Sequence, residues 1–189
     1  MILIDEFNAV DLSLEGVSKM AVLEIVKVPN EVLRRKARPV SDFGLELQEL
    51  IDNMVETLRD APGVGLAAPQ VDVSLRVIVV EYGDEENEDV PPKLYMVVNP
   101  EIQRTSREMI EGTEACLSIP GLAGEVNRYE SITVKGLSRR GQPVKIKCHG
   151  WLARIFQHEI DHLNGVLFTD LTDKVFKLED LNQESVILD

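Results

Sequence analysis

The chain has 189 residues, 44% hydrophobic and 28% charged, which is the balance of a globular protein long enough for one cored domain and short for two. Its net charge of −13 disfavours binding to nucleic acid or to an anionic membrane surface, and no apolar run nears the roughly 20 residues that span a bilayer. Two cysteines, Cys116 and Cys148, are too few for a disulfide scaffold, and any imidazole chemistry must use His149, His158 or His162.

Residues 1–19 carry four acids, one lysine and no arginine, which fits neither a transit peptide nor a secretory signal. They read as an extension outside the domain. A domain start at Met20 with a strand over 20–25 is expected next. Pro29 and Asn30 open a short helix, with Asn30 as its cap. Leu47, Leu50, Ile51, Met54, Val55 and Leu58 recur at helical spacing and predict an amphipathic helix over 45–59, stopped by Ala61-Pro62-Gly63. Residues 75–81 and 94–99 read as strands, and the acidic stretch 83–89 between them as a solvated loop lacking the spacing of a calcium site. Further strands are expected over 101–111, 124–136 and 142–149. A helix over 150–164 follows, ended by Gly165, and then a last helix over 173–181 and a fraying tail over 181–189. The order predicts an α+β fold, with antiparallel sheets around a late helix and residues 20–180 forming one domain.

That late helix contains His158-Glu159-Ile160-Asp161-His162, an H-E-x-x-H. Positions i and i+4 lie about 40° apart around a helix, so both imidazoles can share one metal ion, while the intervening glutamate can take a proton from a water on that ion. At about 100° per residue, Trp151, Leu152, Ile155, Phe156, Glu159, Ile160 and Leu163 form one arc beside the histidines. Arg154, Gln157, Asp161 and Asn164 form the opposite, polar arc. Two histidines and a carboxylate facing inward need compensation, and a divalent cation supplies it.

A catalytic site usually has three protein ligands and one open position. No histidine follows His162, so a downstream third histidine is excluded. Cys116, Cys148 and His149 remain upstream, and Asp170, Asp173 and Glu179 downstream. Cys116 lies among short residues where neighbouring backbone N–H groups can meet an oxyanion, whereas Cys148 reads as a small buried hydrophobe. In Gly63-Val64-Gly65-Leu66-Ala67-Ala68-Pro69-Gln70 the small residues let backbone approach a ligand closely, and Gln70 offers a neutral amide donor. Taken alone, the segment reads as a tight turn after the helix.

In this order, Gly63 to Gln70, Glu114 to Ser118 and His158 to His162 resemble the three motifs of the peptide deformylases, a likeness that covers about residues 22–175. The resemblance implies that Cys116, His158 and His162 hold one divalent metal, Fe²⁺ foremost, with Zn²⁺ or Ni²⁺ as other forms. Glu159 would then be the general base and acid, and Gln70 with the Leu117 N–H would stabilise the oxyanion. It further implies hydrolysis of the formyl group from N-terminal formylmethionine of nascent chains near the ribosome exit, with release of formate, in the cytoplasm and without nucleic-acid readout or a membrane. Val64 and Gly65 would pair with the peptide backbone. Trp151, Arg154 and Ile155 would lie at the methionine pocket, with Arg154 at its rim, and Glu114 with Arg128 would brace the cysteine loop. Ala115 stands where the family usually has glycine, and Arg154 where an apolar residue is more frequent. The H-E-x-x-H alone also admits a metallopeptidase, or a structural zinc site completed by Cys148 or His149.

Overall fold

The run Val77-Ile78-Val79-Val80 is buried throughout, which requires cover on both faces of its strand. The computed structural model, which describes residues 20–83 and 91–180, provides it. The expected extension 1–19, most of the acidic loop and the tail 181–189 lie outside the described residues.

The elements run α1 (Leu45–Asp60), β1 (Gly65–Ala67), β2 (Val77–Tyr82), β3 (Lys93–Thr105), β4 (Met109–Cys116), β5 (Ile119–Tyr129), β6 (Ser131–Leu137), β7 (Pro143–His149), α2 (Gly150–His162) and β8 (Val175–Lys177). Short 3-10 turns occupy Glu31–Arg34, Ala68–Val71 and Phe168–Asp170. One sheet has the order β1-β2-β3-β6-β7 and the other β4-β5-β8, with antiparallel pairing throughout both.

The five-stranded sheet is covered on both sides. Val77, Val79 and Val98 pack with Leu47, Ile51, Met54 and Leu58 of α1. Ile78, Val80, Val97, Ile132 and Val134 pack with Ala153, Phe156, Ile160 and Leu163 of α2. A smaller cluster beneath the three-stranded sheet joins Val32, Leu33, Cys116, Ile119, Val126 and Phe168. Helix α2 is therefore wedged between the sheets, in keeping with an α+β fold built around a late helix.

Several local expectations are corrected. Residues 20–26 form no strand and join neither sheet; Leu23 N donates to Thr57 Oγ1 and Val26 N to Gln70 O. The helix after Asn30 is a single 3-10 turn, capped as expected by the Asn30 side chain accepting from Val32 N. The expected strand 101–111 is broken at 106–108, and 124–136 at Glu130, because the chain changes sheet at these points. The expected helix over 173–181 begins instead as strand β8, whose Phe176 pairs with Ala123.

The polar arc of α2 is the largest correction. Arg154 and Gln157 are buried, and Trp151, placed on the apolar arc, is 46% exposed. Most of the polar stripe faces the three-stranded sheet, and only Asn164 at its end is exposed. Gln157 exchanges hydrogen bonds with the backbone N and O of Tyr129, and Asp161 pairs with Arg128.

Candidate active site

Strand β4 ends at Cys116, and Leu117-Ser118 turn the chain into β5. This brings the sulfur under α2, where His158 and His162 point from one helix face. One donor atom from each of Cys116, His158 and His162 lies within 4.8 Å of the others, and Cys116 Sγ stands 3.3 Å from His162 Nε2. Donors bound tetrahedrally to one ion at 2.0–2.3 Å stand about 3.5 Å apart, so the spacing fits. A thiolate with two imidazoles suits a transition metal and disfavours Mg²⁺ or Ca²⁺.

The surroundings favour a cation at this point. Burial works against a charge on His158, yet hydrogen bonds to Cys116 and Glu114 and the nearby Glu159 push its pKa up to about 10. His158 Nδ1 lies 2.9 Å from Glu114 Oε2, which fixes the ring and turns Nε2 toward the cluster. Burial and the charge of His158 hold His162 well below its ordinary pKa.

Glu114 is itself braced. Its two oxygens accept from Arg128 Nε at 2.8 Å and Nη2 at 2.9 Å, the pairing expected from the sequence. Burial would raise its pKa, but the hydrogen bonds from Arg128 and His158 outweigh it and hold the carboxyl at about 2.

Glu159 behaves oppositely. Burial pushes its pKa up to about 7, the range suited to a group that takes and returns a proton near neutrality, and its Oε2 is buried without a hydrogen-bond partner. Gly65 makes room for it: a Cβ at Gly65 would stand 2.4 Å from Glu159 Oε1. The segment Gly63 to Gln70 is thus not a tight turn. Its centre is edge strand β1, paired with β2 through Gly65 and Val80, and it runs alongside Glu159.

Gln70 follows in a 3-10 turn. Its Oε1 accepts from Ala67 N, while its Nε2 lies 3.3 Å from Ser118 Oγ and 3.7 Å from Cys116 Sγ. An open cavity of about 670 Å³ leads to this point, lined among others by Val64, Gly65, Gln70, Leu117, Trp151 and Ile155. Cys116, His158, Glu159 and Arg154 also border it. The guanidinium of Arg154, expected at the solvent rim, is turned inward onto β4 and β5.

The other ligand candidates lie apart from the cluster. Cys148 is fully buried beneath the five-stranded sheet, where burial pushes its thiol up to about 12, and His149 is exposed at the start of α2. Asp170 pairs with Arg34 and Glu179 with Lys177. Sequence reasoning missed Ser118, the buried neighbour of Gln70, and the joining of Asp161 to Arg128.

Comparison with known proteins agrees with this geometry. Residues 22–177 match the family model described as polypeptide deformylase. A peptide deformylase of Symbiobacterium thermophilum is 54% identical over 151 residues, covering 80% of this chain and 67% of that protein. One of Halothermothrix orenii is 52% identical over 152 residues, covering 80% and 94%. Among solved structures, the class I type b peptide deformylase of Acinetobacter baumannii with Met-Ala-Ser bound has a TM-score of 0.75 at 41% identity, over 82% of this chain and all of that one. That of Thermotoga maritima has a TM-score of 0.74 at 39% identity, over 80% and 98%. With a thiol and two imidazoles within 4.8 Å of one another, a buried Glu159 oxygen left without a partner beside a cavity, and relatives of this closeness, the chain belongs to the peptide deformylases, metal-dependent hydrolases that remove the N-formyl group from the N-terminal formylmethionine of newly made polypeptides and release formate.

Proposed function

We propose that Cys116, His158 and His162 are the metal ligands of this deformylase, Glu159 its proton carrier, and Gln70 Nε2 with the Leu117 N–H its oxyanion donors. The observation that carries the reading is the clustering of Cys116 Sγ with the two imidazoles, with Cys116, His158 and Glu159 bordering the cavity and Glu159 Oε2 left without a partner.

A divalent ion held there supplies Lewis acidity toward a water and a carbonyl. Glu159 takes the proton of the water whose oxygen bonds to the formyl carbon. Gln70 and Leu117 donate to the formyl oxygen as it gains charge, each such donor being worth about 2.7–4 kcal/mol. Glu159 then gives the proton to the amine as the C–N bond breaks, leaving formate and a free N-terminus. Val64 and Gly65, at the edge of the five-stranded sheet, offer backbone to an extended peptide, which makes binding tolerant of sequence. Trp151, Ile155 and the stem of Arg154 border the methionine side chain.

Fe²⁺ is the proposed native ion, with Zn²⁺ or Ni²⁺ as alternatives, because the soft thiolate suits all three. The substrates are formylmethionyl chains met near the ribosome exit in the cytoplasm. Among the described residues, no helix is long and apolar enough to cross a membrane.

The test is anaerobic assay of formate release from formyl-Met-Ala-Ser, with metal analysis on the same sample. Wild-type protein should carry about one ion and release formate. Glu159→Gln should keep the ion and lose about 10²–10⁴ in kcat. Cys116→Ala should lose the ion. Unchanged kcat in the first variant, or full metal retention in the second, overturns the corresponding role.

A further inference from the structure

Arg154 lies one helical turn before His158, with its side chain 8% exposed. Nη1 donates to Glu114 Oε1 at 2.9 Å, to Val126 O at 2.8 Å and to Gly112 O at 3.2 Å, and Nη2 donates to Ile110 O at 2.7 Å. One guanidinium thus ties α2 to both β4 and β5. Its planar fork of donors is what such a set of acceptors needs, and an ammonium cannot reproduce it. The Trp151 ring covers the outer side, 5.5 Å from Cζ. Gly112 is part of the fit, since a Cβ there would stand 2.9 Å from Arg154 Nη2.

Glu114 connects this clamp to the chemistry. Its Oε1 accepts from both Arg128 Nε and Arg154 Nη1, and its Oε2 accepts from Arg128 Nη2 and meets His158 Nδ1. Arg128 is shared with Asp161, whereas Glu114 is the carboxylate that Arg154 touches among the described residues. With Arg154 removed, Glu114 loses one of its fixed directions, and β4 loses two carbonyl anchors just before Cys116. Both changes loosen the imidazole and the sulfur together.

We infer that Arg154 is a positioning residue for the metal centre: it fixes the Glu114 carboxylate that orients the His158 ring, and so controls how firmly an ion is held by side chains it does not itself join. The inference rests on the ligand role proposed for His158. A Glu114 clamped on both oxygens presents His158 Nε2 in a single direction, and outer partners of this kind govern metal affinity by restricting ligand orientation.

The test is competition for Co²⁺ against a chromophoric chelator, with kcat and KM on formyl-Met-Ala-Ser measured alongside. The proteins compared are wild type, Arg154→Met, Arg154→Lys, Glu114→Gln and the Arg154→Met/Glu114→Gln double variant. Arg154→Met should bind Co²⁺ about 10–100-fold more weakly, with the loss of turnover in kcat rather than KM. Arg154→Lys, which keeps the charge and reaches fewer acceptors, should fall between. The double variant should lose clearly less Co²⁺ affinity than the two single losses combined, because the arginine acts mainly through that carboxylate. Wild-type Co²⁺ affinity in Arg154→Met, or losses that simply add in the double variant, overturns the inference. If Arg154→Met does not fold, wild-type affinity and kcat in Arg154→Lys overturn it equally. His158→Ala separates the two readings. Retained Co²⁺ there removes the ligand role itself, whereas lost Co²⁺ there beside unchanged Arg154 variants removes only the positioning role.

Discussion

Helices α1 and α2 carry similar amphipathic patterns, and both lay an apolar stripe on the same five-stranded sheet from opposite sides. Their polar stripes meet different surroundings. That of α1 faces solvent and the rim of the sheet: Glu46 is exposed, and Asp52 and Arg59 pair with the partly exposed Arg139 and Glu81. That of α2 faces a second sheet, where Arg154 and Gln157 are buried and fully engaged. Polar residues at helical period therefore mark a face that needs hydrogen bonds, and water is only one source of them. In this protein the second source also reaches the Cys116/His158/His162 cluster, because the residues that bind α2 to the three-stranded sheet include the brace behind His158.

The sharpest way to test this contrast is at the tight point beside α2. Gly65→Ala should push β1 away from Glu159, given the 2.4 Å approach of a Cβ there, and a displacement of this kind costs about 10²-fold in kcat. The metal content should stay unchanged. Wild-type kcat in this variant would show that the closeness of β1 to Glu159 has no catalytic consequence.

A smaller effect separates the two polar stripes directly. Gln157→Leu leaves the backbone N and O of Tyr129 without their partners and should destabilise by about 1–3 kcal/mol in urea unfolding. Glu46→Ala on the exposed stripe of α1 should change stability by less than about 0.5 kcal/mol. Equal costs at the two positions would erase the distinction drawn between the helices.

The smallest effect concerns the exposed pairing of α1. The hydrogen bond from Arg59 holds the Glu81 carboxyl below its ordinary pKa, against an opposing effect of burial. A depressed folded pKa means the pair stabilises fully above the ordinary carboxylate range, and that stabilisation fades as pH falls through the lowered value. Glu81→Gln should therefore lower the urea midpoint slightly at pH 7 and converge with wild type in strong acid. A difference that persists unchanged into strong acid would mean the carboxylate charge is not its source.

The layering was partly legible because hydrophobic period reports burial. The spacing of Leu47, Ile51, Met54 and Leu58 marked α1, and the unbroken Val77-Ile78-Val79-Val80 run marked a strand, although not that it is covered on both faces. Strand ends were less legible. Residues 101–111 alternate through the break at 106–108, since alternation cannot register that a chain has passed from one sheet to another. Gly63 to Gln70 read as a turn because small residues carry no period. What they signal is a close approach, and only the fold shows that the approaching group is Glu159.

The sequence by itself determined the chemistry on offer: one thiol in a bend-prone segment, two imidazoles one helical turn apart, and a carboxyl between them. These follow from residue identity and helical geometry, which are local. Only the tertiary structure decided how close the Cys116 thiol stands to the imidazoles, which glycine admits the carboxyl, and what the polar side of α2 faces. Those choices depend on how two sheets close around one helix, and contacts between segments distant in sequence leave no period for a local pattern to carry.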